Sequence, residues 1–210
     1  MIHHRIGWNF TSNKRMNSPQ LASTQRYTVD DYIAWNDGQR YELLHGGVHA
    51  MSPAPSWQHQ LISSNLEFEI KFHLRPRKTC QIVYAPIDVY LSQDTVVQPD
   101  IIVVCDSKKI EKKGYVGAPD LVVEILSPST AKADWKDKYF LYEKSGVREY
   151  WIVNPDDALV HVFLLTDGKF CLSGTYSAED AVKISIFEDI IIDLKNVFEK
   201  DSLSTQESKL

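Results

Sequence analysis

The chain has 210 residues, 43% of them hydrophobic and 24% charged, with a net charge of −5 at neutral pH. That balance suits one globular domain with a core of its own, and it speaks against a coat protein gripping nucleic acid through a wholly basic surface, while leaving room for a local basic groove. No apolar run reaches the length of a membrane span, and Cys80, Cys105 and Cys171 lack zinc or redox spacing, so they are expected to be reduced packing residues of a cytoplasmic protein.

Residues 1–26 are polar, without the apolar core of a signal peptide, and are expected to form a disordered leader in which Met16 could serve as the start. A single domain is expected over 27–200 and a frayed tail over 201–210. Thr28 and Asp31 form a capping-box pattern that opens a helix in TVDDYIAWND. YELLHGGVHAM reads as a hairpin turning at Gly46 and Gly47. WQHQLISSNLEFEIKFHL is an amphipathic helix, with Ile62, Leu66, Ile70 and Leu74 every four residues and Leu61 and Phe68 widening the stripe.

CQIVYAPIDVYL is extended and can bend at Pro86; VVQPDIIVVCD is a strand with Pro99 near its start. DLVVEILS is a third strand. A capped helix follows in SPSTAKADWKDKYFLYEKSG and stops at its glycine. VREYWIV, the hairpin ALVHVFLL–DG–KFCLSGTY, and a final strand and short helix complete the chain. Helices flank a cluster of strands, so the fold class expected is mixed α/β (α+β) with one central sheet. Lysines and arginines gather at Lys71, Arg75, Arg77 and Lys78, at Lys108, Lys109, Lys112 and Lys113, and at Lys132, Lys136 and Lys138. Taken singly, each run suits a solvated surface.

Strand side chains alternate, so Glu124 shares a face with Val122 and Leu126. A carboxylate there needs a partner, either a cationic side chain or a metal ion. If the strands near 100–105 and 121–126 are antiparallel neighbours, Asp100 meets Glu124. Two facing carboxylates repel unless a cation separates them, and Mg²⁺ takes one or two carboxylates together with waters and phosphates. Lys138, on the next helix, can reach back to this pair, or can pair with Asp134 on the surface. Trp135, Tyr139 and Tyr142 could stack on bases, but their spacing also suits packing. Tyr150 and Trp151 read as core. Asp120 reads as strand-start structure.

The blocks YELLHGGVHAMSPAPSWQHQLIS, APIDVYLSQDTVVQPDIIVVCD, GAPDLVVEILSPST and DKYFLYEKSGVREYWIVNP resemble, in order and spacing, the Uma-type family of restriction endonucleases within the PD-(D/E)XK nuclease-like superfamily. The resemblance covers about Tyr27 to Phe198. It implies a restriction-endonuclease-like mixed sheet flanked by helices, and a metal-dependent endonuclease that hydrolyses phosphodiesters of nucleic acid, DNA foremost, with Mg²⁺ or Mn²⁺. By the same resemblance Asp100, Glu124 and Glu42 would be metal ligands and Lys138 the catalytic lysine, displaced to the helix because Leu126 holds its usual place. His59 and Asp88 would line the site. Gly47 stands where the family usually has an acid. The resemblance also admits a homodimer, paired through the edge of the 158–176 hairpin. A catalytically inactive nucleic-acid-binding or interaction module on the same fold is the alternative, and a hydrolase of another phosphate ester a third reading.

Overall fold

The computed structural model describes residues 18–21, 24–51, 54–127 and 133–198, with the side chains of 133–135 outside the description. Most of the expected leader, the tail 201–210, Lys132 and the side chains of Asp134 and Trp135 therefore lie outside the described residues. Within them, no helix is long and apolar enough to cross a membrane.

Helix α1 (Val29–Ala34) begins at Thr28, whose hydroxyl accepts from the Asp31 N–H while the Asp31 carboxylate accepts from the Thr28 N–H. Strands β1 (Tyr41–Leu44) and β2 (Gly47–Ala50) form the expected hairpin. Its turn residues are His45 and Gly46, both left-handed, and Gly47 already pairs with Leu44 in the ladder. Helix α2 (Trp57–Leu74) starts at Ser56 and buries Ile62, Leu66, Ile70 and Leu74. Phe68 departs from the expected stripe and is 64% exposed.

The extended run around Pro86 divides into β3 (Gln81–Tyr84) and β4 (Asp88–Ser92), on either side of a cis Ala85–Pro86 bond. The next run also divides, into β5 (Thr95–Val97) and β6 (Ile101–Val104), around Pro99, which has no N–H to give a ladder. In both cases the two halves join different sheets. Strands β7 (Ile110–Glu111) and β8 (Gly114–Val116) precede β9 (Leu121–Ile125), α3 (Ala133–Ser145) and β10 (Glu149–Asn154). Strands β11 (Leu159–Thr166) and β12 (Lys169–Ser177) form a long hairpin. Strands β13 (Ala181–Lys183) and β14 (Ile191–Asp193) pair before α4 (Leu194–Val197).

The class is mixed α/β. The central sheet has the order β12-β11-β10-β9-β6-β3, and a second sheet, β2-β1-β5-β4-β8-β7, lies beside it. One face of the central sheet (Ile101, Val123, Trp151) packs on α2 and the C-terminal strands. The other face (Ile102, Val122, Tyr150, Ile152) packs on α3 and on Val89, Val97 and Tyr115 of the second sheet. Tyr150 and Trp151 are core, as expected.

The cysteine expectation is corrected. Cys80 and Cys105 form a disulfide, because pairing Gln81 with Val104 in the antiparallel β3–β6 ladder brings the flanking residues side by side, their Cα atoms 4.0 Å apart. Cys171 is free and exposed.

Candidate active site

Strands β6 and β9 are antiparallel, with Ile101 opposite Val123. Continuing that ladder by one residue sets Asp100 opposite Glu124, both at the end of the central sheet. Since Val122 lies on the α3 side, alternation aims Glu124 the same way. The Asp100 carboxylate (Oδ2) accepts from the Ile125 N–H at 2.8 Å, which fixes it against the end of β9.

Lys138 comes from α3 to meet Glu124. Its Nζ lies 3.0 Å from Glu124 Oε1 and 3.2 Å from Glu42 Oε1. Glu42 arrives from β1 of the second sheet and also accepts the Gln98 N–H at 2.9 Å. Tyr142, one helical turn beyond Lys138, donates its hydroxyl to Glu124 Oε1 at 2.6 Å and is fully buried, so it anchors the glutamate and has no face free for a base. Burial pushes the Glu124 carboxyl up to about 7 against the opposing pull of Lys138. Burial works against the Lys138 charge, but Glu124 and Glu42 outweigh it and hold the ammonium well above its usual range.

His59, in the first turn of α2, places Nε2 3.3 Å from Asp100 Oδ2. Burial opposes its protonation, but the hydrogen bond and charge of Asp100 prevail and its pKa is raised. Its Nδ1 is buried and has no hydrogen-bond partner among the described residues.

Glu42, His59, Asp100, Glu124 and Lys138 line a cleft of about 350 Å³ that also takes in Arg40, Gln98, Pro86 and Ser127. The Lys138 and Glu124 side chains are only 10% and 12% exposed, but the cleft reaches them, so the pair is tight without being sealed. Asp88 does not line the cleft. It sits behind it, accepting from Gln98 Nε2 at 2.9 Å and from the Tyr32 hydroxyl at 3.0 Å. Gln98 then accepts from Arg40. Sequence reasoning missed Arg40 and Gln98 and gave Tyr142 only a stacking or packing role; the only signal for Gln98 was its place just before Pro99-Asp100. Asp120 is structural as read, accepting from the Cys105 N–H and from Arg148.

The donor set bears on a metal. Among the described residues, no three His, Cys, Asp or Glu side chains form a group ready to hold one. Lys138 stands between Glu42 and Glu124, where a three-carboxylate cluster would need a cation. Asp100 and Glu124 remain, and their contacts above use one oxygen of each, Oδ2 and Oε1. Two carboxylates bordering an open cleft fit Mg²⁺, whose other ligands are commonly waters and substrate phosphates.

Comparison with known proteins bears on the fold and the family. A crystal structure from Anabaena variabilis, described as that of "a putative nuclease belonging to DUF820", superposes with a TM-score of 0.64 at 21% identity, covering 82% of this chain and 97% of that one. It shows a shared fold. The uncharacterized protein slr1290 of Synechocystis sp. is 27% identical over 163 residues, 76% of this chain and 85% of the relative. A family model matches residues 29–195, and on that match the chain belongs to the Uma2 family, whose description is "Putative restriction endonuclease".

Proposed function

We propose that the cleft hydrolyses phosphodiester bonds of nucleic acid, DNA foremost, with Mg²⁺ or Mn²⁺ held by Asp100 and Glu124. The observation that carries this reading is the meeting of Asp100, Glu124, Lys138 and Glu42, from four separate elements, at the rim of one open cleft. A bound divalent cation would lower the pKa of a coordinated water and neutralise phosphate charge. Lys138 orients the attacking water and balances charge that develops on the phosphoryl oxygens. Glu42 and Tyr142 hold Lys138 and Glu124 in place, which favours Glu42 as an anchor over Glu42 as a ligand. His59 and the Ile125 N–H fix Asp100. A homodimer would present two clefts to a duplex, and the hairpin edge at β12 is a free edge strand where such pairing could form. A cytoplasmic location would suit a DNA substrate, but the Cys80–Cys105 disulfide speaks against it.

A second reading, a non-cleaving binding module, draws support from Lys138 already being paired with both glutamates. Calorimetric titration of Mg²⁺ and Mn²⁺ separates the two. Binding by the wild type that is lost in Asp100→Ala and in Glu124→Ala, together with cation-dependent cleavage of DNA lost in the same variants, supports the nuclease. Absence of cation binding, with or without nucleic acid, leaves the binding module.

A further inference from the structure

A second surface begins where the cleft ends. Ala85 and Pro86 line the cleft, and the strand just before them, β3, is an edge of the central sheet. Beside β3, the last turns of α2 form an open groove of about 430 Å³ floored by Leu74 and Ile82. Phe68 and Phe72 stand on its wall, each 64% exposed, stacked with centroids 6.4 Å apart and planes 28° from parallel. Tyr84 is 57% exposed and shares the α2 side of β3 with Ile82, by strand alternation, so it stands between groove and cleft. Large aromatic side chains clustered on a surface mark a binding site.

The charge of the groove says what it binds. Lys71, Arg75 and Lys78 line it and, among the described residues, no acidic one does, in a chain whose net charge is −5. Lys71 is engaged by Glu67 at 2.7 Å, while Arg75 and Lys78 stand exposed. Cations beside stacked, exposed aromatic rings are the recognition chemistry of single-stranded nucleic acid, whose phosphates meet the cations and whose bases stack on the rings. A two-fold contact with a second copy would instead press this cationic groove against its own like.

We propose that Phe68, Phe72 and Tyr84, with Arg75 and Lys78, form a stacking platform for single-stranded nucleic acid that leads into the cleft. The platform rests on the nuclease reading for the purpose of that path, but its binding is separable from cleavage. The three residue steps from Ile82 in β3 to Ala85 just past it span roughly 10 Å, so a short single strand can occupy both.

The test is fluorescence anisotropy of a labelled twelve-nucleotide oligothymidylate, and of a duplex of equal length, with the full chain in EDTA. Phe68→Ala/Phe72→Ala is expected to weaken single-strand binding by about tenfold or more, with little change for the duplex. Arg75→Ala/Lys78→Ala is expected to lower the slope of log affinity against log salt by roughly 1.4. Both variants replace exposed side chains, and their thermal midpoints verify folding. Wild-type failure to bind the oligonucleotide, or wild-type affinity in the folded double-alanine variant, overturns the platform. A dimer that becomes a monomer in that variant by light scattering, with oligonucleotide binding unchanged, also overturns it and makes the face a self-association surface. A wild type that binds through Phe68 and Phe72 yet cleaves no nucleic acid with Mg²⁺ or Mn²⁺ would sink the nuclease reading alone; cleavage without such binding would sink the platform alone.

Discussion

Lys138 Nζ lies 3.0 Å from Glu124 Oε1, and the same nitrogen lies 3.2 Å from Glu42, so one buried ammonium ties α3 to a strand of each large sheet. Removing it leaves two carboxylates with little water and no counter-charge. Lys138→Met is expected to destabilise the fold by about 3–5 kcal/mol, measured by urea denaturation at pH 7.5. Adding Glu124→Gln to that variant should recover part of the loss, since one unpaired charge is removed. A loss below about 1 kcal/mol would show the site to be as well hydrated as an exposed pair.

The raised Glu124 carboxyl gives a stability signature of known sign. Burial lifts its pKa from 4.5 to about 7 in the folded chain. The folded state therefore binds this proton more tightly than the unfolded one. The resulting stability is complete below about pH 4.5 and is lost as pH rises through about 7. Glu124→Gln has no such proton. Relative to wild type it should gain roughly 3 kcal/mol between pH 4.5 and pH 7.5, read from denaturation curves at both values. A difference that stays flat with pH would mean that Lys138 holds Glu124 ionised throughout.

Much of the site was legible because its residues are fixed by local rules. Strand alternation aimed Glu124 at the α3 face, and the β6–β9 pairing that joins Asp100 to it needed only an antiparallel guess. Lys138 was reachable as a helix position beyond the same strand. What escaped depends on distant pairing. Gln98 holds Glu42 through its backbone N–H, an interaction that no side-chain pattern encodes. Cys80 and Cys105, 25 residues apart, meet only through the β3–β6 register. Phe68 is different, because the signal was present: two residues beyond Leu66 is about 200° around a helix, on the side away from the core.

The disulfide should contribute through the unfolded chain. It closes a separation of 25 residues, for which the loop-entropy account gives about 3.5 kcal/mol. Cys80→Ala/Cys105→Ala, or reduction of the wild type, is expected to lower the unfolding free energy by about 2–4 kcal/mol. Cys171→Ala, at an exposed free thiol, should leave it within about 0.5 kcal/mol. Equal stability with and without reductant, alongside three titratable thiols instead of one in the unreduced, unfolded protein, would show that the bond does not form in solution.

Gly114 links backbone geometry to the cleft from a distance. It pairs with Asp88 in the parallel β4–β8 ladder at φ 155°, and a Cβ there would stand 2.1 Å from the Asp88 carbonyl oxygen. No real contact is that close and the obstacle is backbone, so β4 must shift. Asp88 accepts from Gln98 Nε2, and the Gln98 N–H holds Glu42, which holds Lys138. Gly114→Ala should therefore cost stability by several kcal/mol, on the order of 3, and disturb Lys138 as well. Asp88→Asn keeps the backbone and changes only the acceptor. Measuring both by denaturation and by the pH dependence above separates the two effects. The alanine variant should lose stability and alter the Glu124 titration, whereas Asp88→Asn should lose far less stability. If Gly114→Ala unfolds no more readily than wild type, β4 is not held against β8 as described, and the chain of contacts to Lys138 has no rigid base.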